Sequence, residues 1–255
     1  MPTRFVDFMR VLVPMAGDDT TPEGEQVNIY GNHVGSWNFA ATAYLNRWKV
    51  KIYYEHYFDD HSQMFFQYGR WKDGHIGLEI TFPKNRFIDT FVYEGLGTKD
   101  QTGPMLYDSF WGKFEEQISA KDNYYNHYLY QGWQHWGMGI GNPLLPGPIY
   151  NKNGQITFIS NRVLAHHIGF CGSPCQSLSY RMLLSYSRHW GTYDNPLNEI
   201  KKQFNSLFEV TYAPQQLKGW SFTVSGAMDR GSILGNNYGG MLVIRKQGII
   251  KSGNK

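Results

Sequence analysis

The sequence is poor in charge, in cysteine and in long apolar runs, and each shortage excludes something. Charged residues make up 18% of the 255, and 24 bases against 21 acids leave a net charge of +3 with no basic run. That balance gives no electrostatic footprint for nucleic acid. No apolar stretch approaches the roughly 18 residues of a membrane helix, and the mean hydropathy is negative. Helical membrane proteins are thereby excluded. Membrane barrels are not, because their strands alternate and escape a hydropathy window. Met1–Asp19 carries acids at Asp7, Asp18 and Asp19 and only a short apolar stretch, so it does not read as a secretory signal. The two cysteines, Cys171 and Cys175, stand in CGSPC. Two ordinary turn thiols, a disulfide and a metal site are all open. The metal site is disfavoured, because His166 and His167 are strand neighbours on opposite faces.

Aromatic residues and glycine are plentiful: 18 Tyr, 16 Phe, 8 Trp and 28 Gly. With long Ala/Glu/Lys/Leu stretches missing, the composition leans to β structure. The length suits one barrel or sandwich domain, or two small domains. Period-two alternation recurs between turn residues. Over 48–55, Trp48, Val50, Ile52 and Tyr54 alternate with Lys49, Lys51, Tyr53 and Glu55. Over 76–82, Ile76, Leu78, Ile80 and Phe82 alternate with Gly77, Glu79 and Thr81. Residues 177–186, 204–212 and 220–229 behave alike, and further strands are expected near 26–32, 34–45, 87–95, 161–170 and 238–247.

Alternation fits a soluble sandwich as well as a membrane barrel, since each has one apolar face. Two features favour lipid. The strands approach the roughly 9–11 residues that span a bilayer at a tilt. Aromatics also gather at strand ends, among them Trp48, Phe82, Phe87, Tyr186, Tyr212, Trp220 and Tyr238. Turns at 46–47, 83–86, 171–176 and 213–219 read as short, and those at 58–74, 96–160, 188–203 and 230–237 as long. Counting strand directions puts every short turn on one side, as in outer-membrane barrels. The expected fold class is therefore all-β: an antiparallel transmembrane β-barrel, one domain over residues 1–255, with 96–160 a long loop or plug excursion.

That excursion holds the chain's most unusual stretch, Asn123 to Asn151, which contains no Asp, Glu, Lys or Arg. Flat rings stack on the C–H faces of sugars, and neutral amides and imidazoles bond hydroxyls. Trp111, Tyr124, Tyr125, Trp133, His135, Trp136 and Asn142 are the candidate polysaccharide-binding residues. The bland alternative is a neutral plug packing the barrel interior. Repeated Gly and Pro argue against helix there.

Other constellations are weaker. Glu55, His56, Asp59, Asp60 and His61 cluster in YYEHYFDDHS without a zinc spacing; paired carboxylates there would suit glycoside hydrolysis. His33 with Ser36 and His61 with Ser62 stand three and one residues apart, spacings that do not put both side chains on one strand face as a nucleophile pair. No catalytic residue, metal or cofactor is expected. Lys49, Lys51, Glu55, Glu79, Arg181, Glu209 and Arg245 mix signs on the polar face, as salt-bridge filling of a lumen would.

Nine strings in order carry a family resemblance: GNHVGSWN, YYEHYFDDHS, WKDGHIGLEI, TKDQTGP, DNYYNH, GWQHWGMGIGNPLL, SYSRHWGTYDNP, GWSFTVSGAMDRG and GNNYGGMLVIRK. From about Phe8 to Arg245 the chain resembles capsule-assembly proteins of the Wzi type, in the branch found in the Bacteroides group. The resemblance implies an outer-membrane β-barrel that binds capsular polysaccharide and helps attach or assemble it at the cell surface, as a lectin and not an enzyme. Members are longer, with a signal peptide and additional strands, so this chain matches the C-terminal portion of a larger barrel. The implied partners are capsular polysaccharide and the outer-membrane lipid bilayer. The alternatives are a passive porin-like channel and, less favoured, an outer-membrane hydrolase.

Overall fold

The computed structural model describes residues 4–13, 18–19, 34–58, 73–85, 87–100, 123–127 and 131–248. Nine strands form one antiparallel sheet in chain order. They are β1 (Gly35–Leu45), β2 (Trp48–Phe58), β3 (Gly74–Thr81), β4 (Thr90–Gly97), β7 (Val163–Cys175), β8 (Leu178–Gly191), β9 (Pro196–Tyr212), β10 (Trp220–Gly231) and β11 (Asn237–Lys246). Between β4 and β7, the two-residue strands β5 (Gln134–His135) and β6 (Met138–Gly139) make a separate small hairpin. The strand expected near 26–32 lies outside the described residues.

β4 pairs directly with β7, so the connection between them adds no strand to the large sheet among the described residues. Nine is odd, so β1 and β11 run in the same direction. Each has one neighbour, and among the described residues no pairing closes the sheet into a barrel.

The register sorts the side chains onto two faces of opposite character. One cross-strand row runs Val50, Ile80, Phe91, Phe170, Met182, Phe208 over six strands. The row on the other face runs Tyr53, Gly77, Glu94, His167, Ser185, Asn205, Asp229, Asn237 over eight. A slip of one residue in any pair would exchange the faces, which is why alternation pins the register. The polar face is cross-linked as its residue types require. Lys49 Nζ lies 3.3 Å from Glu79, Arg181 lies 3.3 Å from Glu209, and Asn205 Nδ2 donates to Asp229 Oδ1 at 2.6 Å.

Most of the apolar face is exposed: Ile52 and Ile76 are each 54% exposed, Val224 60% and Leu242 65%, and burial on this face is concentrated at the end of β2, at His56 and Phe58. The buried core lies against the other face. Tyr124, Tyr125, Leu145 and Phe158 of the 98–162 connection pack on Val163 and Ala165 of β7, with Tyr57 and Leu96 alongside.

Some boundaries differ from the sequence expectation. The long turn expected at 188–203 is four residues, 192–195, because β8 and β9 extend to fill the rest. The turn expected at 230–237 shrinks to 232–236. CGSPC is the bulged end of β7 and not a turn, with the register shifting between Gly172 and Cys175; only Gln176 and Ser177 reverse the chain. Turn direction still sorts as expected, but turn length does so less cleanly. One helix, α1 (Phe5–Leu12), was not foreseen; it exposes Phe5, Phe8 and Leu12 and pairs Asp7 with Arg4 and Arg10.

Candidate functional site

The aromatic stretch is tied to the polar face by side-chain amides and hydroxyls. Thr98 Oγ1 donates to the Asn161 carbonyl at 2.6 Å and accepts from the Val163 N–H at 2.8 Å. Asn161 Nδ2 in turn donates to Asn123 Oδ1 at 2.6 Å and to the Tyr124 carbonyl at 2.8 Å. Asn126 and Phe158 exchange two bonds, each 2.8 Å. Tyr124 donates its hydroxyl to Asp73 Oδ2 at 2.9 Å, and Tyr57 donates to the Gly97 carbonyl. Rings then fill the space: Tyr125 meets Phe158 edge-on at 5.4 Å and Tyr57 meets Tyr124 at 6.4 Å.

From this anchored base the small hairpin projects. Its tip is Trp136-Gly137, with φ of 54° and 79°. Two successive positive φ values are what a type I′ two-residue hairpin turn requires. A tryptophan in that conformation is uncommon, and here the indole is 83% exposed. The tip is fixed from behind: Gln134 Oε1 accepts from the Gly137 N–H at 2.7 Å, and the Gly137 carbonyl accepts from the Ile149 N–H at 2.9 Å.

Between the stretch and the sheet lies a cavity of about 460 Å³, bounded by residues 140–144 and the polar faces of β2, β3, β4 and β7. That volume is within the roughly 300–1,000 Å³ of small-molecule sites. Glu55, His75, Glu94 and His167 face it. His75 bridges the two carboxylates, with Nδ1 3.6 Å from Glu55 Oε2 and Nε2 3.4 Å from Glu94 Oε1. His167 Nδ1 lies 2.6 Å from the Ser185 hydroxyl.

The sequence-expected residues thus separate into groups. Tyr124, Tyr125 and Asn142 line the cavity, the two tyrosines by their buried rings. Trp133 is half-buried against the core. His135 and Trp136 stand exposed at the hairpin, their rings 6.1 Å apart. Trp111 lies outside the described residues, as do His33, Asp59, Asp60, His61 and Ser62. Sequence reasoning noted Glu55 but missed His75, Glu94, His167 and Tyr57, whose only signal was their place on polar strand positions. Glu55 and His56 do not converge, since His56 is on the apolar side opposite Trp37.

Another histidine, His189, sits between Ser160 at 3.4 Å and Ser187 at 2.9 Å. All three are at most 2% exposed, so this set braces the connection and is closed to a substrate. In the 192–195 turn, burial raises the pKa of the Tyr193 phenol, although the Arg162 guanidinium lies 4.1 Å over its ring and pulls the other way. Cys171 and Cys175 are free thiols. Among the described residues no His/Cys/Asp/Glu group is placed to hold a metal ion.

Fold and site together define an antiparallel all-β protein whose polar sheet face carries an anchored aromatic segment around a cavity. Comparison of the chain with protein-family models, with curated proteins and with solved structures finds no match.

Proposed function

We propose that this chain is part of a non-enzymatic outer-membrane β-barrel that binds polysaccharide and assists capsule attachment or assembly at the cell surface. The observation that carries the reading is the inverted arrangement of the sheet. The apolar face is exposed over most of its length, away from buried His56 and Phe58 at the end of β2, while the ion-paired polar face holds the core. Fully burying an aliphatic side chain gains about 1.5–3 kcal/mol. Leaving Ile52, Ile76, Val224 and Leu242 half in water would forgo on the order of 3–6 kcal/mol, a large part of a domain's roughly 5–15 kcal/mol. Hydrocarbon removes that cost. Exposed Trp48, Trp220 and Tyr212 near one end of the strands and Trp37, Tyr186 and Tyr238 near the other fit interfacial girdles.

The anchored segment supports binding over passage of solutes. It occupies one end of the polar face, and its rings and neutral amides match the needs of sugar hydroxyls and C–H faces. Trp136, held outward at a rigid tip, is the residue placed to stack on a glycan outside the cavity. In capsule-bearing cells, Trp136→Ala should reduce retained capsule several-fold at an unchanged level of the protein in the outer membrane. Full retention by that variant would remove the hairpin from the binding site. Recovery of the wild-type protein from the aqueous fraction would remove the membrane reading.

A further inference from the structure

The cavity beneath residues 140–144 joins two carboxylates and a set of rings, and among its described lining residues there is no lysine or arginine; its nitrogen bases are the imidazoles of His75 and His167. The neighbouring lysines on the same face are directed elsewhere: Lys49 to Glu79 at 3.3 Å, and Lys51 over the Tyr53 ring at 5.1 Å. Among the described residues, His75 is the group that contacts both Glu55 and Glu94. Even with a proton on His75, two carboxylates against one imidazolium leave a negative charge in excess. The bridging contacts fall on Glu55 Oε2 and Glu94 Oε1, and the Tyr53 hydroxyl also donates to Glu94 Oε1. The second oxygen of each carboxylate takes no hydrogen bond from a described residue. Both side chains keep about a third of their surface open, 37% for Glu55 and 30% for Glu94.

The rings are an independent feature. Tyr57, Tyr124 and Tyr125 line the same space. The hydroxyls of Tyr57 and Tyr124 are held by the Gly97 carbonyl and Asp73, so these residues offer an occupant aromatic ring surface and not free hydroxyl groups. Aromatic faces with carboxylates at hand form a site for an organic ammonium: the quadrupole attracts the charge, and the carboxylate accepts its N–H bonds. An anionic group would meet uncompensated negative charge in the same place.

We propose that this cavity binds an amino-sugar unit carrying a free ammonium and rejects uronate units. The proposal rests on the polysaccharide-binding reading above and narrows it to one sugar class.

The test is calorimetric titration of the full chain in detergent micelles with three defined trimers: glucosamine, N-acetylglucosamine and galacturonic acid. The glucosamine trimer should bind about tenfold tighter than either other, about 1.4 kcal/mol, because its ammonium gains charge-assisted bonds to the carboxylates. Glu55→Gln and Glu94→Gln should each remove about that tenfold advantage. Glu79→Gln makes the same charge change on the same face but outside the cavity, and it should leave the titration unaltered. Equal or tighter binding of the acetylated or uronate trimer overturns the ammonium assignment while the polysaccharide reading stands. Unchanged glucosamine affinity in both cavity variants overturns it too. If no trimer binds to protein whose β-sheet circular dichroism is intact, the assignment is likewise overturned, and capsule retention in cells judges the broader reading by itself.

Discussion

Tyr53 on β2 gives its hydroxyl hydrogen to Glu94 on β4, reaching over the intervening strand at Gly77. The bond exists because Gly77 has no side chain. A Cβ there would stand 2.0 Å from the Tyr53 ring. Three strands are thus locked in register on the polar face by one absent methyl group, and the same lock holds Glu94 at the cavity wall.

Gly77→Ala should therefore destabilise the protein by about 1–3 kcal/mol, the usual cost of overpacking a filled site. The midpoint of urea unfolding would show it. Combined with Tyr53→Ala, the cost of the glycine change should largely vanish, since contacting sites couple. A Gly77→Ala protein as stable as wild type would mean that the ring does not lie over this position.

A charge on the bare face distinguishes lipid from water. Ile52→Arg places a guanidinium in the apolar row of Ala41, Leu78 and Tyr93. Against hydrocarbon it should cost about 2–4 kcal/mol in vesicle-folded protein, while Thr42→Arg on the polar face should cost less than about 1 kcal/mol. In water, an arginine at a half-exposed isoleucine would be neutral within about 0.5 kcal/mol. Equal tolerance at both positions would argue that water and not lipid faces Ile52.

Asn161 joins the aromatic segment to the sheet through Asn123 and Tyr124. Asn161→Ala should release that end of the segment, losing buried bonds worth about 1–3 kcal/mol. Limited proteolysis should then cut within 123–160 at least several-fold faster, with cleavage elsewhere unaffected. Unchanged cleavage would show that packing of Tyr125 and Phe158 suffices.

The two thiols are free, Cys175 exposed and Cys171 half-buried. Maleimide should label both without reductant in folded protein, Cys175 first. A mass two hydrogens lighter and resistant to labelling would show that the bulged end of β7 closes a disulfide.

Much of the sheet was legible before folding. All nine strands overlap segments expected from the sequence, five of them as explicit alternating runs, and the reversals fall where expected, as at Asn46, where a φ of 57° turns the β1–β2 hairpin. The opposed faces of His166 and His167 were legible for the same reason: His166 stacks near Tyr93 and His167 reaches Ser185. The extension of β8 and β9 through 188–191 and 196–203 was not, because Arg188, Lys201 and Lys202 interrupt the apolar pattern although the ladder continues through them. Backbone hydrogen bonds do not depend on side-chain polarity, so a strand can outrun its hydrophobic signal.

The cavity was hidden for a different reason. Sequence alone determined the face each strand residue takes, because a strand repeats every two residues and the alternation is written in the chain. It also determined that 123–151 would be a neutral, ring-rich segment; its described residues hold no α-helix, only a 3₁₀ turn at Pro148–Tyr150. The tertiary structure alone decided that Glu55, His75 and Glu94, from three strands, would meet, and that Tyr124 and Tyr125 would close over them. Cross-strand register and the docking of a long connection bring together positions tens of residues apart, and no local pattern carries that distance.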